Sequence, residues 1–226
     1  MKKRVLAAFL SMAMVAGLAT GCGTPGGGKS DSDSADGKVF RYAVNTLPTT
    51  LDPTKGQSIG DNEIQHAVTE GLTRNTAGDV KPGIAESWDE SEDGLTYTFH
   101  LRKDAKWSDG EPITAADFEY SWKRLVNPET ASPYAFIGDC LKNGQAIEQG
   151  KMDVEELGVK AVDDTTLEVT LEHPTSYFLS LIGSSGQYAP LRQDIVEKYG
   201  TDFAATSEKN VYSGPFVMTS SEDNVW

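Results

Sequence analysis

Cysteine is nearly absent from this chain: Cys22 and Cys140 are the only two among 226 residues. Cys22 closes an apolar leader, so the part after it keeps a single thiol and cannot form an internal disulfide. Cys140 reads as a small buried hydrophobe. No Cys-x-x-Cys pair or Cys/His cluster is available to hold a metal. Histidine is equally scarce, with His66, His100 and His173 scattered at no ligand-like spacing. His100 falls on the polar face of an alternating stretch, the place of a solvated imidazole. Cationic side chains are also few. Setting aside Lys2, Lys3 and Arg4 of the leader reduces the 20 basic residues to 17, against 34 acidic ones, a net charge of −17. Such a surface repels nucleic acid and anionic membranes and suits a soluble exported protein. Beyond the leader, no apolar run reaches the ~20 residues of a membrane span. Acidic doublets such as Asp163-Asp164 sit in turns, where Asp bonds its own backbone, and no base–nucleophile pair stands out. Gly26-Gly27-Gly28-Lys29-Ser30 has neither the spacing nor the strand–helix context of a phosphate loop. The sequence therefore predicts no enzyme, no cofactor, no metal and no nucleic-acid partner.

The leader itself is well formed. Lys2-Lys3-Arg4 make a charged start, and Val5 to Leu18 make an apolar core typical of a secretory signal. Residues Gly23 to Gly37 are rich in Gly, Ser and Asp with almost nothing to bury, which predicts a tether. The segment Leu18-Ala19-Thr20-Gly21-Cys22 resembles a bacterial lipoprotein cleavage box, with Ala19 where leucine is commonest. That resemblance implies a signal peptide over 1–21 and a lipidated Cys22 heading a tether over 22–38. Two or more acyl chains anchor a protein stably, and a tether then keeps it near a membrane partner.

Along the rest of the chain, Val39 to Asn45 alternates as a short strand, and Leu51-Asp52-Pro53 is a turn. Ile64, Ala67, Val68 and Leu72 sit at helical spacing, with Gly71 near the expected end. Val80-Lys81-Pro82-Gly83-Ile84 reads as a turn. Trp88 to Leu101 reads as a hairpin with Ser91-Glu92-Asp93-Gly94 at its tip. Leu95, Tyr97, Phe99 and Leu101 alternate with polar residues, the period of a half-buried strand. Thr114 caps a helix with Asp117 three residues on, and Phe118, Trp122 and Leu125 form its apolar face. Trp107 and Trp122 are expected in the core. Asn127-Pro128 ends that helix. Ile147 to Leu157 predicts a short helix and exit loop. Val159 to Val162 and Leu167, Val169, Leu171 predict two strands joined through Asp163-Asp164-Thr165. Two more helices are expected, one from Ser176 with Tyr177, Phe178, Leu181 and Ile182 on a face, one around Ile195, Val196 and Tyr199 closed by Gly200. Gly214 to Met218 reads as the start of a strand.

The block from Asp93 to Leu125, with Ala85-Glu86-Ser87-Trp88 before it, resembles the signature region of extracytoplasmic solute-binding proteins of peptide ABC transporters, family 5. Ala131-Ser132-Pro133-Tyr134-Ala135 and Leu157 to Asp164 resemble the oligopeptide-binding branch, and the likeness runs from about Phe40 to the end. It implies an α/β, two-lobed fold like the periplasmic binding proteins (class II, cluster C) with an extra accessory α/β domain, this chain lacking the second lobe. It places 39–69 and 195–226 in the first lobe, incomplete here, and 70–194 in the accessory domain.

The same resemblance implies a lipid-anchored, extracytoplasmic, monomeric protein that captures oligopeptides between two lobes and hands them to the permease subunits. It assigns ligand contact to Gln57, Ser58 and Ile59, as a segment pairing with the peptide backbone, and to Tyr134. An ordinary loop at 57–59 and a packed tyrosine at 134 are the competing readings. On the same scaffold, the alternatives are a binder of dipeptides, nickel chelates, haem or sugars, or a surface lipoprotein for signalling or adhesion.

Overall fold

The computed structural model describes Thr46 and residues 48–219. The chain divides between Tyr42 and Ala43, and every described residue lies in the second unit. The leader, Cys22, the tether and the expected strand at Val39–Asn45 lie outside the described residues.

The organising element is a four-stranded antiparallel sheet, in the order β3-β4-β6-β5. Strand β3 (Ala85–Glu90) turns into β4 (Thr96–Leu101), and β5 (Val159–Asp163) turns into β6 (Thr166–Thr170). Along β4 the period-two pattern is realised, with Tyr97, Phe99 and Leu101 buried between half-buried Thr96, Thr98 and His100. The register carries this alternation across the sheet. Trp88, Phe99, Leu167 and Ala161 make one row of the inner face, and Tyr97, Val169 and Val159 the next. His100 faces outward and meets Asp89 of β3 at 2.8 Å. The β3–β4 turn needs Gly94, whose φ of 68° is left-handed, a conformation that costs glycine nothing.

Helix α2 (Ala115–Val126) covers the inner face. At its start, the Asp117 carboxylate accepts from the Thr114 backbone N–H at 2.8 Å and from its hydroxyl at 3.1 Å. Phe118, Trp122 and Leu125 are fully buried on its sheet side. The Trp122 indole donates to Tyr188 O at 2.9 Å, so the largest core side chain is also polar-satisfied. Trp122, Phe178 and Tyr188 form an edge-on aromatic group, with Tyr97 5.1 Å from Phe178. Trp107 is buried as expected.

The other α-helices among the described residues are α1 (Ile59–Val68), α3 (Gly144–Glu148), α4 (Phe178–Ser184) and α5 (Gln193–Tyr199). Asn127 ends α2 in extended geometry before Pro128, and Gly200 ends α5 at φ 54°.

Four expectations shift. Helix α1 begins earlier than the apolar spacing implied, because Ser58 and Asp61 cap its start; it ends at Val68 before Thr69 in extended geometry, and Leu72 lies beyond it in the sheet core. Val80–Pro82 is strand, not turn. β2 (Asp79–Pro82) pairs with β1 (Thr73–Thr76), and the turn is Ala77-Gly78, both at positive φ. In α4, Phe178 and Ile182 are buried while Tyr177 is 62% exposed. Residues Gly214 to Met218 form no strand among the described residues, and Phe216 and Val217 are exposed. Instead Gly214 N–H donates to Val68 O at 2.9 Å, which docks this stretch on the end of α1. A Cβ at Gly214 would come within 2.5 Å of that backbone.

Among the described residues the apolar interior has two parts. The larger runs from Leu72 to Tyr188 and contains the sheet, α2 and Phe178. The smaller gathers Leu51, Leu191, Val196, Phe203 and Ala204, with Ile64, Tyr120 and Met218 against it.

Candidate functional site

The residues before α1 form a loop held by two buried carboxylates. Asp52 is 4% exposed, and its side chain accepts from Thr54 N–H at 3.0 Å and from the Thr54 hydroxyl at 2.8 Å. Arg124, from the outer side of α2, grips the same carboxylate with two nitrogens at 2.9 and 2.7 Å and also contacts the Thr54 hydroxyl. This bidentate pairing fixes the loop on α2, since the guanidinium fork matches a carboxylate in plane as well as charge.

Asp61 is fully buried. Its Oδ1 accepts from Thr49 N–H at 2.5 Å and Thr50 N–H at 3.2 Å. Its Oδ2 accepts from Gln57 N–H at 2.9 Å, Ser58 N–H at 2.8 Å and the Thr49 hydroxyl at 2.9 Å. Ser58 returns the favour as N-cap, its hydroxyl accepting from Asp61 N–H at 2.9 Å. Burial pushes the Asp61 pKa up, but the amides of Ser58, Gln57, Thr49 and Thr50 outweigh it and hold the acid below the ordinary carboxylate range.

The expected contact residues sit around this loop. Gln57 is exposed and Ile59, first residue of α1, is 68% exposed. Gln57 and Ser58 have already given their amides to Asp61, so this segment offers a ligand side chains more readily than backbone donors. Tyr134 is half-buried, its ring 5.8 Å from that of Phe136, which is 56% exposed. One hydroxyl links the two places: Ser132 Oγ donates to Thr54 O at 2.6 Å and accepts from Tyr134 N–H at 3.2 Å. Behind them, Gln187 reaches Gly56 O at 3.5 Å, and the Tyr188 hydroxyl donates to Ile137 O at 2.6 Å. Three stretches of chain thus meet beside the loop.

Spacing found Gln57, Ser58, Ile59 and Tyr134 only through resemblance, and it missed Asp52, Asp61, Arg124 and Ser132. Ser58-x-x-Asp61 is a capping-box pattern and was readable as such. The Asp52–Arg124 pair, 72 residues apart, had no local signal.

Two surface grooves lie elsewhere. One of about 690 Å³ runs beside α2 and α5, lined by Lys55, Tyr120, Lys123, Arg124, Glu155 and Val196. Its central cations are taken: Lys123 meets Glu119 at 2.7 Å and Glu155 at 2.6 Å, and Arg124 holds Asp52. A second, of about 360 Å³, surrounds Glu70, which pairs with Arg74 and with Arg102 at 3.3 Å. Neither groove is lined by Gln57–Ile59 or Tyr134. Cys140 is half-buried, 3.7 Å from the Tyr188 hydroxyl, and burial pushes its thiol pKa up, away from reactivity. Among the described residues, no group of three or more His, Cys, Asp or Glu stands ready for a metal.

The described residues thus form an antiparallel sheet covered by a capped helix, with a carboxylate-pinned loop beside it. Residues 79–226 match the model for bacterial extracellular solute-binding proteins, family 5 middle region, and the chain belongs to that family. It is 40% identical over 196 residues to a dipeptide-binding protein of Lactococcus lactis, covering 86% of this chain and 35% of that protein. Among solved structures it is similar to the substrate-binding domain of an oligopeptide ABC transporter from Bacillus anthracis. That match has 46% identity and a TM-score of 0.73, over 75% of this chain and 33% of that one. Listeria monocytogenes OppA bound to peptide is 41% identical with a TM-score of 0.74, over 76% of this chain and 34% of that one. The chain therefore spans about a third of the length of these relatives.

Proposed function

We propose that the intact protein is the solute-binding component of an ABC importer and captures oligopeptides in a cleft between two lobes. The observation that carries this is the likeness, in sequence and in backbone, to the peptide-bound Listeria protein. Hinge closure around the ligand would present the closed form to the permease subunits in the membrane. Within this chain, the ligand-facing groups are the exposed Gln57 and Ile59 side chains, with Ser58 fixing their direction, and the Tyr134 ring. The protein works as a monomer, and binding needs no cofactor and no catalysis.

The first lobe comprises 39–69 and 195–226, and the accessory α/β domain 70–194. The two apolar clusters follow this division in the main: the larger core lies within Leu72–Tyr188, and the smaller gathers Leu51, Val196, Phe203 and Ala204 together with Leu191 and Tyr120 from the accessory range. Lipidation of Cys22 would anchor the protein outside the cell membrane, with 23–38 as tether. Cys22→Ala should shift the protein from the membrane fraction to the soluble one, and full membrane retention would sink the anchor.

The test of function is calorimetry of the intact protein with mixed tripeptides to pentapeptides, paired with native mass spectrometry of whatever is retained on purification. Micromolar or tighter peptide binding is expected. The name of the Lactococcus relative favours a second reading, dipeptide capture. Retention of dipeptides alone would select it, and binding of no peptide would retire both.

A further inference from the structure

We infer that Asp61 is the positioning residue of the ligand-facing loop, acting through the backbone of Gln57 and Ser58 without touching ligand. The inference rests on the peptide-binding role proposed for Gln57–Ile59. Its basis is a division of labour between two oxygens. Oδ1 holds the incoming chain at Thr49 and Thr50, and Oδ2 holds the outgoing chain at Gln57 and Ser58 along with the Thr49 hydroxyl. One carboxylate thus closes the loop on itself, with Asp52 and Arg124 pinning its middle.

The consequence for Gln57 and Ile59 is geometric. Both are exposed. Their direction is set from behind, where Gln57 and Ser58 N–H point at Asp61 and Ser58 Oγ caps the helix. The turn also runs close to α1: a Cβ at Gly56 would come within 2.5 Å of Gln65 Nε2 and 3.2 Å of Asp61 Cβ. A loop fixed before ligand arrives loses less freedom on binding than one that must order. An ionised carboxylate is the group for this, because it offers only acceptors and every neighbour here is a donor. An amide in its place has one acceptor oxygen and one NH₂, so it can hold one side of the loop and must oppose the other.

The test uses the intact protein and the variant Asp61→Asn, with Ser121→Ala as a control that removes a buried hydrogen bond, to Ala189 O, in which no loop residue takes part. Affinity is read by calorimetry with tri-alanine to penta-alanine peptides and with the mixed pool. Backbone protection is read by amide hydrogen exchange at Thr49, Thr50, Gln57 and Ser58. D61N should weaken peptide binding about tenfold or more, the factor one lost charge-assisted hydrogen bond carries. It should also lose protection at one of the two amide pairs. Ser121→Ala should bind as the parent does. Equal weakening by both variants would mean a general stability effect and would overturn the inference. So would D61N binding like the parent. Should D61N fail to fold, Thr49→Val removes only the hydroxyl bond to Oδ2, and an unchanged affinity and exchange pattern there would count against the clamp. If the parent protein binds no peptide, the functional reading falls by itself, and the exchange arm still decides whether Asp61 sets the loop.

Discussion

Between Leu72 and Tyr188 the chain is held by apolar burial, and between Pro48 and Ser58 it is held by two buried carboxylates. The first region has many residues each contributing a share: Phe99, Phe118, Trp122 and Leu167 interlock with no single keystone. The second has few contacts, each of them directional, and its shape depends on Asp52 and Asp61. Damage therefore spreads differently. A lost methyl group in the first lowers stability and leaves the shape standing. A lost oxygen in the second costs stability too, and it also releases the shape. A binding scaffold has use for both kinds of holding, the one for a rigid frame and the other for a precisely aimed surface.

The largest break should come in the frame. Trp122→Ala removes a fully buried indole and its bond to Tyr188 O. It should cost roughly 3–5 kcal/mol, read by denaturant unfolding. Next comes Arg124→Met, which strands the buried Asp52 carboxylate without its partner. The cost should be about 3 kcal/mol, and much of it should return when Asp52→Leu is added, because an apolar pair leaves no orphaned charge. Full additivity of the two substitutions would show that the pair is not coupled.

The smallest effect is the one with a pH signature. The folded-state pKa of Asp61 lies below its unfolded value, so the carboxylate adds stability that is fully present above the ordinary Asp range of about 4. That stability is lost as pH falls through the folded value. The melting gap between parent and D61N should be constant from pH 8 to about 5, equivalent to on the order of 1–3 kcal/mol, and should narrow only in stronger acid. A gap that widened in acid would contradict the assignment.

The same contrast explains what could be read from the chain alone. Strand β4 and helix α2 announced themselves, since alternation at Tyr97, Phe99 and Leu101 and the i, i+4, i+7 spacing of Phe118, Trp122 and Leu125 are local patterns. Hairpin β1–β2 did not, because Thr-Arg-Asn-Thr and Asp-Val-Lys-Pro carry no apolar alternation and Pro82 pointed to a turn; its pairing comes from Asn75 and the Ala77-Gly78 turn. Asp52 looks like any acidic residue near a turn, and the capping pattern Ser58-x-x-Asp61 says nothing of the amides of Thr49 and Thr50. Their roles exist only once Arg124 and the amides of Thr49 to Ser58 arrive from other parts of the chain. Chemistry that depends on burial of a charge leaves little trace in spacing.

The bond from Gly214 to Val68 O, with Ser213 Oγ accepting from Glu70 N–H at 3.0 Å, bears on the order in which the molecule assembles. These contacts close a span of 143 residues in sequence, and the entropy of closing a flexible span grows with its length. If the sheet and α2 have already folded inside that span, the effective length to be closed shrinks to short connectors. The end of α1 is thus sealed late, by a segment the ribosome makes last among those described. Pulse-labelled hydrogen exchange should protect Phe99 and Leu167 before Gly214. Until that late seam closes, the end of α1 stays unsealed and Val68 O lacks its Gly214 donor.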